Sequence, residues 1–321
     1  MLKSRPKIKE EARALMKANP VLGRQMFVYR LLGLIFSTVL AIVLGNPVME
    51  QINTVVELVQ SSGYTYSQQL LVLQRMFLSV AGRLSILMLA QMVWNMFFVN
   101  LRFGVLTSIR KVAAGEGSAQ MSDLTSGFPI FGRVVWLDFL VSLFILIRSL
   151  LFALFMGILV TALSFVGGYW MSSISLMLAS LAFMIFVFLT AYRYILAEYI
   201  LAENPAFTAR QAIREAVACS QKRIGLFFGF DLSFLGWALL FAGIDYALGK
   251  LLGIVLPEIG SYISSFILLP ALVWVNTYIS TGFTLLFRNL VGLDRPPEAP
   301  PAPPPYSGGT GGTYSGPDIQ I

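Results

Sequence analysis

Long apolar runs, separated by short polar segments, dominate the chain. A helix that crosses the hydrocarbon core of a bilayer needs roughly 20 mostly apolar residues. Six runs reach that length: Met26 to Leu44, Phe77 to Asn100 (interrupted by Arg83), Val134 to Leu163, Ile174 to Leu196, Ile224 to Tyr246 and Tyr262 to Phe287. The third holds no proline and a single glycine, Gly157, so it reads as one tilted helix rather than two. Gly45-Asn46-Pro47 reads as a helix end followed by a turn. The first run follows a basic segment of 25 residues and lacks a small-residue cleavage site, unlike a secretory signal.

Between the runs the pattern changes to amphipathic. Residues 7–18 put Ile8, Ala12, Leu15 and Met16 on one side, which predicts a helix lying along the inner surface. Residues 47–59 put Val48, Ile52, Val55 and Val59 on one stripe, with Glu50 and Glu57 elsewhere, which predicts an interfacial helix or lid on the outer side. The Gly- and Ser-rich stretch 115–132 predicts a flexible inner loop. Asn204-Pro205 stops the fourth helix, because the residue before proline disfavours helical backbone. Thr208 then caps a short helix with Ala209, Ala212, Ile213, Ala216 and Val217 on one face and Arg210, Arg214 and Glu215 on the other. From Asp294 the chain is rich in Pro and then Gly, a composition that buries no core. The expected organisation is a cytoplasmic N-terminal segment (1–25), a six-helix membrane domain (26–290) and a disordered cytoplasmic tail (291–321).

Composition sharpens this into a class. The chain is 57% hydrophobic and 12% charged, with a mean hydropathy of +0.75. Soluble domains are about 45–50% apolar and about 25% charged. The expected fold is therefore all-α: a polytopic membrane helix bundle of about six transmembrane helices plus interfacial amphipathic helices. The chain has no histidine and one cysteine, Cys219. That excludes Ser–His–Asp and Cys–His catalytic centres, Cys/His zinc sites and an internal disulfide. Gly-x-Ser-x-Gly and Walker motifs do not occur, and neither Asp231 nor Asp245 follows the Gly-x-Gly of intramembrane aspartyl proteases. No enzyme activity, cofactor or metal is expected.

The net charge of +7 marks topology. With the N-terminus inside, 17 of the 23 Lys and Arg fall in inner segments, while Arg75 and Lys250 alone fall outside. Basic residues do not cluster on a face with interleaved aromatics, so nucleic acid is not an expected partner. Membrane lipids and an unknown membrane protein are.

Residues 192–237 carry the most specific pattern. They contain Glu203-Asn204-Pro205, Ala212, Ser220, Lys222-Arg223 and the run Phe230-Asp231-Leu232-Ser233-Phe234-Leu235-Gly236-Trp237. This resembles a bacterial multi-pass membrane family of unknown function, number nine-seven-five in its series. Residues 7–16 are similar to that family's opening Lys-x-x-Ala-Arg-x-x-Leu. The chain departs from it at Pro270, which is followed by Ala271 where the family often has Tyr, and in its Pro-rich tail. The resemblance implies a bacterial cell membrane and a helical bundle, and no assigned activity.

Charges inside the runs are the functional leads, since each costs at least about 2.5–3.5 kcal/mol at mid-membrane. The candidate polar network is Arg83, Arg148, Arg193, Asp231, Asp245 and Asn276. Asp231 lies roughly 10 Å in from the inner edge, at about 1.5 Å per residue from Ile224. Arg193 is expected to pair with it, with Tyr192 or Tyr194 as donors, and Arg83 with Asp245. Arg148 has no acid at its level. Gln91, Asn95 and Asn276 add interior polarity. Arg30 is expected to snorkel without a partner, Asp138 to be solvated, and Ser233 and Gly236 to permit close helix contact. Such a network either locks helices together or lines a solute or proton path. The expected function is a structural, interaction or envelope accessory role, with a permease-like mover of a small solute or lipid as the alternative.

Overall fold

The structure, a computed structural model, describes residues 4–61, 66–221, 223–256 and 259–291. All regular elements among these residues are helical, and six are long and apolar enough to cross a membrane. The fold is thus an all-α polytopic membrane bundle. The tail expected to be disordered lies outside the described residues.

The bundle opens with α1 (Arg5–Ala18) and α2 (Pro20–Leu40). One wide turn of π geometry, Ala41–Gly45, then carries the chain straight into α3 (Asn46–Ser61). Gly45-Asn46-Pro47 is therefore helical, and the turn expected there is not made. A proline ring collides with the carbonyl four residues earlier. The wide turn relaxes the backbone at that carbonyl, and Pro47 falls in the first turn of α3, where its missing N–H goes unneeded. Nor is 47–59 a separate surface helix; it continues α2 and packs along α4 (Tyr66–Ala113). Tyr29 stacks on Phe98 at 4.1 Å and Phe36 on Trp94 at 4.2 Å, which fixes the antiparallel register of α2 and α4.

Helical backbone next runs from Phe131 to Tyr194 (α5). A straight helix would separate Phe152 from Phe186 by roughly 50 Å at about 1.5 Å per residue. Their rings instead stack at 4.2 Å, and Phe144 lies 6.1 Å from Tyr194. Both pairs are centred on position 169, so α5 is a hairpin whose arms meet near Gly167-Gly168. Those arms are the expected third and fourth spans.

The expected fifth span is differently placed. α8 (Ile224–Leu232) ends at a turn through Ser233-Phe234, and the apolar spanning helix is α9 (Leu235–Val255). Ser233 donates to the Phe230 carbonyl at 2.5 Å, a side-chain bond that competes with helix continuation. Gly236 is no contact point: a Cβ there would meet nothing within 4 Å.

α10 (Gly260–Val291) is the central post, packed by α9, α2, α1 and α4. Three of its buried hydroxyls bond within the helix, with Thr277, Thr281 and Thr284 each donating to the carbonyl four residues back at 2.7–2.9 Å. Such internal bonding is what a dry interior demands of polar groups.

The short helices form a packed base at the end that carries the N-terminus. α6 (Ala197–Glu203) leads to Asn204-Pro205, which ends it as expected. Thr208 caps α7 (Ala209–Ser220) in a reciprocal box with Gln211. The apolar face of α7 (Ala209, Ala212, Ile213, Ala216) is buried against α5 and α6. α1 likewise buries Ile8 and Ala12 in the same core, so it is docked on protein as well as facing the surface. The stretch 115–132 is ordered rather than a free loop. Its Leu124 is buried, and its Gln120 carbonyl accepts from Gln25 at 2.6 Å. Gly104 makes this approach possible, since a Cβ there would lie 2.0 Å from the Leu124 oxygen.

Candidate functional site

The six predicted residues do not form one network. Asp231 is held by Tyr192, whose hydroxyl donates to its carboxylate. The expected Arg193–Asp231 pair is not made among the described residues. Consecutive helical residues point about 100° apart, so turning Tyr192 inward leaves Arg193 exposed. Only the Arg193 carbonyl is engaged, accepting from Ser220 at 2.9 Å.

Arg83 and Asp245 do not pair either. α9 packs chiefly on α10, so Asp245 meets Ser264 of α10, which donates at 2.8 Å, while Arg83 is exposed on α4. Arg148 lies over the Tyr194 ring at 5.4 Å, and one terminal nitrogen, Nη1, is buried without a hydrogen-bond partner. Asn276 accepts from Arg30 at 2.8 Å and donates to the Leu272 carbonyl at 2.7 Å. Arg30 is thus partnered, against the expectation of a solitary snorkel.

The strongest electrostatic feature was read in the sequence only as orientation charge. At the base, Arg102 of α4 bridges Asp138 of α5 (3.0 Å) and Glu198 of α6. Asp138 is therefore paired rather than merely solvated. Eight residues along α4, Arg110 reaches Glu203 at 3.3 Å. Glu203 also accepts from Arg288 of α10 at 2.7 Å, and both side chains are nearly buried. Backbone ends are tied too: Arg133 donates to the Pro205 carbonyl at 2.5 Å and Arg223 to that of Leu290 at 3.0 Å. The N-terminal helix adds Lys9 over the Phe234 ring at 4.5 Å and Arg13 over Tyr278 at 5.4 Å. Partial burial, with Arg13 and Arg5 nearby, pushes the Lys9 ammonium below its ordinary range.

Several cavities adjoin these groups, two of them beside Asp231 and Asn276. One, of about 520 Å³, lies among α4, α5, α6 and α8 and is lined by Arg102, Asp138, Tyr192, Glu198 and Asp231. The other, of about 510 Å³, lies among α2, α4 and α10 and is lined by Arg30, Asn95 and Asn276. Arg148 lines neither. No group of three or more metal-ligating side chains occurs among the described residues.

Four motif residues shared with the resembled family help to clamp the helices together at the base. Glu203 ties α6 to α4 and α10, Ser220 ties α7 to the end of α5, Arg223 ties the start of α8 to α10, and Asp231 ties α8 to α5. Lys222 lies outside the described residues. Spacing alone indicated the helices but not these partners, which come from three different elements.

No curated protein and no solved structure matches this chain. A family model described as protein of unknown function (DUF975) matches residues 3–294, so the chain belongs to that family.

Proposed function

We propose that this protein is a non-enzymatic accessory of a bacterial cytoplasmic membrane, a helical bundle that holds or assists another membrane component. One observation carries the reading. Charged residues at the base are engaged in tying helices together: Arg102 with two acids, Glu203 with two arginines, Asp231 with a tyrosine. The absence of histidine and the single cysteine support a role without catalysis. The basic residues at the base (Arg102, Arg110, Lys111, Arg133, Arg210, Arg214, Arg223 and Arg288) share the end that carries α1, which supports termini on the cytoplasmic side.

The test is mild-detergent purification from native membranes, combined with photo-crosslinkers placed on the exposed face of α9, for example at Leu239. A discrete adduct with a second membrane protein is expected. Recovery of this chain alone from both would overturn the accessory role. Cysteine labelling of the tail in intact cells, in a Cys219→Ser background, should fail from outside; labelling there would reverse the orientation.

A second reading, a mover of a small solute or lipid, is favoured by the cavity holding Arg102, Asp138, Tyr192, Glu198 and Asp231. It requires transfer of a fluorescent lipid or solute in proteoliposomes that Asp231→Asn abolishes.

A further inference from the structure

The cavity among α2, α4 and α10 differs in sign from the one beside the clamp. Arg30 is the single charged side chain lining it, and no Asp or Glu is among its lining residues. All three helices are spanning segments. A cation in such a place would ordinarily face a carboxylate or a water-filled space. Here its partner is a neutral amide, the Asn276 oxygen at 2.8 Å. A guanidinium carries five N–H donors in a rigid fork that matches phosphate and carboxylate, and this single bond leaves most of them free.

The other polar side chains that line the cavity are all neutral. Asn276 spends its own amide on the Leu272 carbonyl, which fixes the oxygen toward Arg30. Gln91 donates to the Asn95 oxygen at 3.0 Å, and both residues line the cavity, which leaves the Asn95 amide nitrogen as an unspent donor. Ser37 also lines the space, and its hydroxyl is turned to the Leu34 carbonyl. Aromatic rings wall the cavity: Phe36 on Trp94, and Phe98 closing on Gly33, where a Cβ would lie 2.7 Å from the Phe98 ring. The volume of about 510 Å³ is that of a small-ligand site. Ile35 and Val39 of α2 and Met92 of α4 are exposed apolar side chains on two of the three helices that form it, suited to hydrocarbon.

We propose that this cavity binds a phosphate monoanion, with Arg30 as the charge partner and the Asn95 amide as a second donor. The phosphodiester of an anionic phospholipid and a free phosphate share that chemistry. The walls suit the lipid, whose acyl chains continue along the exposed apolar residues.

The test uses the full chain in detergent, titrated with short-chain phosphatidylglycerol, diacylglycerol of the same chain length, which lacks the phosphate, and inorganic phosphate, followed by native mass spectrometry. Phosphatidylglycerol should bind at least tenfold more tightly than diacylglycerol. Arg30→Gln should lose at least tenfold of that affinity. Asn276→Asp keeps the shape but sets a carboxylate against Arg30, and should lose as much while keeping the thermal midpoint. Arg24→Gln, at the same end but outside this cavity, should stay within about twofold. Arg30-dependent binding of inorganic phosphate without preference for the lipid would assign the same site to a soluble anion. Equal binding of both lipids, or phosphatidylglycerol binding unchanged in both Arg30→Gln and Asn276→Asp, would overturn the site.

Discussion

The base of the bundle and its spanning walls are built by opposite rules. At the base, α7 is a short amphipathic helix that buries Ala209, Ala212 and Ala216, and charged side chains meet across four elements. In the wall, α9 has 21 residues and not one is buried. Leu239, Leu251 and Ile254 of α9 are more than 60% exposed, an arrangement that water would not tolerate on this scale. The base resembles the interior of a soluble protein, with alternating faces and partnered charge. The wall is stabilised by its solvent, the lipid. Substitutions should therefore act through packing and pairing at the base and through very little in the wall.

The largest contrast is expected at Glu203. Removing it by Glu203→Ala takes the carboxylate away from the nearly buried Arg288, a loss of about 3–5 kcal/mol for breaking a buried pair. The thermal midpoint in detergent should drop sharply, while Leu239→Ala in the wall stays within about 0.5 kcal/mol. Replacing both partners, Glu203→Leu with Arg288→Leu, should recover most of the loss, because Arg110 keeps Glu116 at 2.5–2.9 Å. A single variant no worse than the wall control would show that the clamp does not hold the base.

Packing gives the next largest effect. Ala212 is fully buried where α7 meets α5. Ala212→Leu should cost about 1–3 kcal/mol by overpacking. In the wall, Gly243 meets nothing within 4 Å of a Cβ, so Gly243→Ala should be neutral or stabilise by up to about 1 kcal/mol through helix propensity. Chemical unfolding monitored by tryptophan fluorescence compares the two directly.

The cap of α7 should matter less. Thr208 accepts from the Gln211 N–H at 3.3 Å, and Gln211 returns the bond to the Thr208 N–H at 2.8 Å. Thr208→Ala should cost about 1 kcal/mol and Thr208→Ser little. Equal losses for both would place the stabilisation in the methyl group instead.

The sequence disclosed the wall better than the base, for a physical reason. Spans announce themselves by length and apolarity, which are local, and all six are present. The cap at Thr208 and the stop at Asn204-Pro205 were local as well. What failed was pairing. Arg193 and Asp231 share a depth, yet depth says nothing of the angle around the helix, and Tyr192 took the contact. Arg83 and Asp245 were matched by level on helices that do not pack face to face. The continuity through Pro47 needed a π turn, which leaves no clear residue signature. Arg102, Arg110 and Arg288 were legible as basic residues near one face. The acids that join them to other helices, Asp138, Glu198 and Glu203, come from α5 and α6, far along the chain, so only the fold brings them together.

Cys219 offers the finest probe of the same contrast. It lies on α7 at the edge of the base, half-buried. Burial pushes its thiol above the ordinary value of 9.0, Glu215 adds to that, and Arg223 opposes it. The thiolate is the reactive form, so a raised value means less thiolate at any given pH and slower alkylation. Maleimide labelling of the folded protein should be slower at pH 7 than after denaturation, and its rate should still be climbing at pH 9. Glu215→Gln should bring a modest increase and Arg223→Gln a modest decrease, both smaller than the effect of unfolding, because burial is the first cause. If labelling in the folded state matched the denatured rate, the outer edge of α7 would be open to water, and the packed base would end one turn earlier than Ser220.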